Sequence, residues 1–173
     1  MAKLQFQSNP SHTIGVELEL AVVDSSSGAL ATGAEQILAA IDSQFAGAIK
    51  PELMQCVVEV NSDVYSSVSQ ARDDLAGKLY HVQQAAEKLG LSLFWAATHP
   101  FSRWEDQVVT KTDRYLDLVE LLQEMARRLI TNGLHVHVGV DSGDKAVMIC
   151  DRIMQHLPIL LALSASSPYW QDR

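Results

Sequence analysis

Two stretches decide how this chain is read: Ile14-Gly15-Val16-Glu17-Leu18-Glu19-Leu20 at residues 14–20 and Leu134-His135-Val136-His137-Val138-Gly139 at residues 134–139. In an extended strand, residues two apart point to one side. Glu17 and Glu19 therefore share a face opposite Val16, Leu18 and Leu20, and His135 and His137 share a face opposite Leu134, Val136 and Val138. Two same-face carboxylates in a half-buried strand repel each other, and acidic residues are poor strand formers. Such a pair is either a solvated outer face or a place where a cation removes the repulsion. Magnesium and manganese prefer hard oxygen ligands of this kind.

Residues 13–24 read as a strand closed by the turn Asp24-Ser25-Ser26-Ser27-Gly28. Ala34–Phe45 reads as a helix with Ile37, Leu38, Ile41 and Phe45 on one stripe. Met54–Val60 reads as a second strand after Pro51. Ser66–Leu89 is the clearest helix, ending at Gly90 where a C-terminal cap belongs. Leu91–Thr98 reads as a strand buried on both faces and stopped by Pro100. Asp113–Ile130 is expected as one long helix with Leu118, Leu121, Leu122, Met125 and Leu129 inward. The His strand follows Asn132-Gly133, and Lys145–Leu157 is a third long helix, with Pro158 opening a short apolar one. Alternating strands and helices fit a parallel doubly wound sheet, but neither GxGxxG nor GxxxxGK[ST] is present. They also fit an antiparallel sheet whose open face carries the polar side chains.

The 173 residues, 47% hydrophobic and 20% charged, have the composition of one globular domain. A net charge of −8 argues against a nucleic-acid partner held by a basic surface. Cys56 and Cys150 form no redox or metal motif and are read as small core residues of a protein in a reducing cytosol. The N-terminus lacks the apolar segment of a secretory signal, and the apolar run near Ile159–Leu163 is too short to span a bilayer. A soluble, cytoplasmic protein without a membrane partner is expected.

Among the other candidates, Glu59 alternates with Gln55, Val57 and Asn61, whereas Glu52 has the other parity. Both can reach one site only if the strand begins after Glu52 or bulges near Pro51. Without that break they are a surface and a turn glutamate. His135 and His137 between valines suggest a ligand pair, and no HExxH or cysteine accompanies them, so the metal stays open on chemistry alone. His99, before Pro100, is either a functional side chain emerging at a strand end or a structural turn histidine. Arg114, beside Tyr115, is either an anion-binding group or the partner of Asp113 or Asp117.

The motifs Thr13-Ile14-Gly15-Val16-Glu17-Leu18-Glu19, Pro51-Glu52-Leu53-Met54-Gln55 through Glu59, Thr98-His99-Pro100-Phe101, Arg114-Tyr115, Gly133 through Gly139, and Leu161 through Trp170 follow one another in a familiar order. Together they resemble the type 2 glutamate-cysteine ligases, or carboxylate-amine ligases. The resemblance implies an α+β fold: a curved, funnel-like antiparallel sheet of the glutamine synthetase and guanido kinase kind, with helices packed on one face. It implies that residues 1–173 are a single domain, the N-terminal portion of a catalytic domain whose sheet is incomplete here. It implies ATP with Mg2+ or Mn2+ as cofactors, and an amide bond formed through an acyl phosphate between a carboxylate such as glutamate and an amine such as cysteine. By position, Glu17, Glu19, Glu52, Glu59 and His135 would be cation ligands. His137, Arg114 and His99 would be candidates for holding substrate or phosphate.

Two other classes compete with a ligase: a noncatalytic cation-binding or assembly module, and a metal-dependent hydrolase using the histidines. Exposed sheet edges also make a homo-oligomer an expectation, unless a C-terminal portion covers them.

Overall fold

The computed structural model of the protein describes residues 5–171. The opening alternation forms β1 (Ile14–Asp24), the central member of a five-stranded sheet in which every pairing is antiparallel. One edge of β1 takes β3 (Val57–Asn61), which in turn pairs with β2 (Ile49–Pro51). The other edge is divided. β4 (Leu91–Phe94) pairs with Ala21–Asp24, and β5 (Leu134–Val138) pairs with Ile14–Leu18. The fold is α+β, and the antiparallel alternative is the one adopted.

The apolar side of the sheet is closed by two helices. Val22, Ile49, Val58 and Val60 pack with Ala34 and Ile37 of α1 (Ala34–Ala40) and with Val82, Ala85 and Ala86 of α2 (Val68–Lys88). Each valine or isoleucine in this set contributes about 1.5–3 kcal/mol of transfer free energy when fully buried. Ser67 caps α2 by accepting the Gln70 N–H, and Gly90 follows it in the left-handed region at φ +72°. Lys78 of α2 is buried and donates to the Asn61 carbonyl at 2.9 Å and to Asp74 at 2.8 Å, fastening the helix to the end of β3.

A second cluster lies on the residues between β2 and β3. Leu53, Met54, Cys56 and Val57 pack with Tyr115 of α3 (Asp113–Leu122) and with Ile130. It anchors the 52–56 connection, which is where the sheet leaves strand geometry.

Several sequence expectations are corrected. The 34–45 helix stops at Ala40, and Asp42 caps a separate 3-10 turn, Ser43–Phe45. The second strand starts at Val57, not Met54. The 91–98 strand ends at Phe94 and is half-buried, because the next part of β1's edge is already taken: the Glu19 N–H donates to the Gly133 carbonyl at 3.0 Å. The 113–130 helix breaks at Gln123, φ +51°, giving α3 and a short α4 (Glu124–Arg127). After that break Leu121 and Met125 face solvent, 78% and 71% exposed, while Tyr115, Ala126 and Ile130 are the buried residues. Cys56 is buried as expected, but Cys150 is exposed.

The C-terminal helices differ most from expectation. α5 (Gly143–Ile153), a 3-10 turn and α6 (Leu157–Ser164) run on almost without interruption, because Pro158 falls in the first turn of α6, where no N–H is required. The stretch Gly143–Ser164 is 22 residues long and holds an 18-residue window of mean hydropathy 1.5, so by length and composition alone it could cross a bilayer. Asp151 and Arg152 sit within it, and ionised side chains at that depth are costly.

Truncating Ile37, which is fully buried, should destabilise this chain by about 2–5 kcal/mol. Leu163→Ala, at a side chain 80% exposed, should change stability by less than about 0.5 kcal/mol. Urea unfolding of both variants reads the difference, and equal losses would contradict the placement of the core.

Candidate functional site

The register of β1 builds the site. Glu19 lies directly opposite Glu59 of β3, while Glu17 lies opposite Asn61 on that edge and opposite His135 of β5 on the other. Residues opposite each other point to the same face. The polar face thus carries Glu17, Glu19, Glu59, Asn61, His135 and His137 as neighbours. Glu52 joins them because β2 ends at Pro51 and β3 begins at Val57, so the intervening residues are released from strand parity.

The eight sequence candidates fall into distinct positions. Glu19, Glu52 and Glu59, all half-buried, offer carboxylate oxygens that lie within 4.8 Å of one another. Glu17 turns to the histidines instead: its Oε2 is 3.0 Å from His135 Nδ1 and 3.3 Å from His137 Nε2. Arg114 borders the same cleft as Glu19, Glu52, Tyr115 and His135, a hollow of about 300 Å³. Its guanidinium lies 5.3 Å from the Tyr115 ring centre, and among the described residues it forms no ion pair, so the Asp113 or Asp117 bridge is not made. His99 is elsewhere. Its Nδ1 accepts the Ser102 N–H at 3.0 Å, its Nε2 donates to the Gly28 carbonyl at 2.9 Å, and Phe94 and Phe101 flank the ring.

Each carboxylate in the cluster is held by one oxygen. Glu19 Oε2 accepts the Gly133 N–H at 2.6 Å. Glu52 Oε2 accepts the Leu53 N–H and the Tyr115 hydroxyl, both at 2.6 Å. Glu59 Oε1 accepts from the Asn61 side-chain amide and lies 3.5 Å from the Lys50 ammonium. Among the described residues, Glu19 Oε1, Glu52 Oε1 and Glu59 Oε2 take no protein donor. Three oriented carboxylates, each with one oxygen left over, are a donor set that fits a small hard divalent cation.

Electrostatics point the same way. Burial pushes the Glu19 carboxyl above its ordinary range, the Gly133 hydrogen bond works against this, and the Glu52 and Glu59 charges add to the rise. A cation would relieve that repulsion. Glu17 is pulled below its ordinary value chiefly by the His135 hydrogen bond, and His135 is raised chiefly by the same bond. Burial and then Glu52 push the Tyr115 hydroxyl well above a normal phenol, so it stays a donor.

Gly133, Tyr115, Asn61 and Lys50 were not singled out as site residues by the sequence. A Cβ at Gly133 would lie 2.8 Å from His135 Nε2 and 3.3 Å from Glu19 Oε2, so the two clusters meet where this glycine leaves room. Its signal was its place directly before the His strand. Asn61 shares parity with Glu59, which marked it; nothing local marked Lys50. A wider hollow of about 700 Å³ adjoins Glu17, Lys50, Asn61 and His137 on the other side.

The family model for glutamate-cysteine ligase family 2 matches residues 13–173. Similar proteins include one named "Putative glutamate--cysteine ligase 2" from Gloeobacter violaceus, 38% identical over 97% of this chain and 46% of its own length. Another, "Putative glutamate--cysteine ligase 2-2" from Rhodococcus jostii, is 41% identical over 95% of this chain and 45% of its own. The chain therefore spans less than half the length of these curated relatives. Among solved structures, a glutamate–cysteine ligase from Francisella tularensis in complex with AMP superimposes with a TM-score of 0.56 at 14% identity, over 87% of this chain and 30% of that one. A bifunctional glutathione synthetase from Pasteurella multocida gives 0.58 at 15%, over 82% and 18%. At those identities the likeness is one of fold.

Because burial holds His99 below the ordinary imidazole value of 6.5, with the Gly28 hydrogen bond opposing, protonation favours the unfolded chain. Its contribution to stability is present above pH 6.5 and is lost as pH falls through the depressed folded value. Imidazole NMR titration should find His99 below 6.5; a value at or above 6.5 would contradict its buried, doubly bonded setting.

Proposed function

Because the chain belongs to glutamate-cysteine ligase family 2, we propose that it forms part of the catalytic sheet of a cytoplasmic, ATP-dependent ligase that joins a carboxylate to an amine. Glutamate and cysteine are the substrates that the relatives' names support. The observation that carries the reading is the convergence of Glu19, Glu52 and Glu59 on one face of the sheet. The AMP bound to the Francisella ligase of like fold supports a nucleotide as cosubstrate.

A carboxylate is a poor acyl donor, so ATP is taken to phosphorylate it, and the amine then displaces phosphate from the acyl phosphate to leave an amide, ADP and phosphate. A Mg2+ or Mn2+ ion at the cluster would screen the phosphate charge and stabilise the transferring phosphoryl group. Glu19, Glu52 and Glu59 would hold it through their donor-free oxygens. His135 is oriented by Glu17 through Nδ1, which leaves Nε2 to serve as a further ligand at the margin of the carboxylate group. Arg114, at the rim of the same cleft, supplies a positive charge for a substrate carboxylate or a phosphate. His137 shares Glu17 with His135 and faces the wider hollow.

The test is ADP release from ATP with Mg2+, glutamate and a panel of amines, measured for this chain and for one extended to the length of its relatives. Amine-dependent turnover is expected, with Glu59→Gln lowering it by more than about 10-fold, since loss of a residue that merely orients a ligand already costs that much. No turnover by either chain with any amine, or full turnover in Glu59→Gln, would overturn the proposal. Cation binding without ATP turnover would identify a noncatalytic cation-binding module instead.

A further inference from the structure

Glu52 differs from the other two carboxylates of the cluster. Glu19 and Glu59 stand opposite each other in the ladder between β1 and β3, which fixes where they point. Glu52 belongs to the connection after β2 and has no strand partner. Its Oε2 is held by two donors: the N–H of Leu53, which is the next residue and moves with the same connection, and the hydroxyl of Tyr115. Tyr115 comes from α3, 63 residues away in sequence. It is only 7% exposed and is packed in the cluster with Leu53, Met54, Cys56, Val57 and Ile130. Its hydroxyl also lies 3.4 Å from the Pro51 carbonyl. The tyrosine is thus the tie between the glutamate's carboxylate and α3, an element distant in sequence that packs against the same connection.

We propose that Tyr115 is a positioning residue: its hydroxyl holds Glu52 Oε2 and so presents Oε1 to a divalent cation shared with Glu19 and Glu59. The Thr110 hydroxyl donates to the Glu52 carbonyl at 2.5 Å and holds the backbone here, so the ordering cost that remains is that of the Glu52 side chain. A hydrogen bond from a buried, rigid side chain removes that cost before the cation arrives. Leu53 cannot do this alone, because its N–H fixes the carboxylate only relative to the connection itself. The inference rests on the cation-site reading given above.

Mn2+ titration of the purified chain, followed by loss of the free-ion electron paramagnetic resonance signal, tests both. Tyr115→Phe keeps the ring and its packing and removes only the hydroxyl. It should weaken Mn2+ by about 10-fold, the scale for loss of a group that orients a ligand. In a Glu52→Ala background the same change should weaken Mn2+ by less than about twofold, since a residue acting through Glu52 has nothing left to hold. Equal affinity in wild type and Tyr115→Phe overturns the inference. So does an undiminished loss in the Glu52→Ala background, which would mean that Tyr115 acts on the fold at large. Wild-type protein that binds no Mn2+ overturns the cation reading and the inference with it. Ultraviolet difference spectra of the wild type need no variant: a tyrosine band should titrate with the same midpoint as Mn2+ binding, and a spectrum without one overturns the inference.

Discussion

Two-sided antiparallel pairing of β1 is the constraint on which the rest of the molecule depends. Its register with β3 sets Glu19 against Glu59, and its register with β5 sets Glu17 against His135. Strand side chains have period two, so a slip of one residue on either edge would send carboxylates into the core and valines into the cleft. The packing of Val22, Val58 and Val60 on α1 and α2 opposes that slip. Core and site are therefore two readings of one register: the energy that buries the apolar face is also what holds the acidic residues together against their repulsion.

The part of the site built by strands was legible in the sequence. Parity alone placed Glu17 with Glu19 and His135 with His137, and the missing phosphate loop kept an antiparallel sheet open as an alternative. Glu52 was not legible in the same way. Its parity is opposite to that of Glu59, and only the break between Pro51 and Val57 lets both reach the same place. Tyr115 was legible as a neighbour of Arg114 but not as a donor to Glu52, because that contact spans 63 residues and depends on how α3 seats in the second cluster. His99 went the other way: its place at a strand end suited a ligand, yet both its ring nitrogens are spent on backbone groups of nearby turns.

The helices show a similar division. α2 carries a long apolar stripe, a serine cap and a terminal glycine, and local signals of that number agree with its packing. The 113–130 stripe was continuous in sequence but is divided at Gln123, whose φ of +51° no local signal announces. β5 and the stretch 143–164 carry apolar side chains that remain exposed, including Leu134, Val136, Leu161 and Leu163.

On this reading β1's register and the 52–56 connection together make one cation site from Glu19, Glu52 and Glu59. A crystal of this chain soaked in Mn2+ and measured for anomalous scattering tests it most directly. An anomalous peak is expected about 2 Å from one oxygen of each of the three carboxylates, the spacing of a small hard divalent cation. A map with no peak there, or with Mn2+ bound only at other acidic residues, would contradict it.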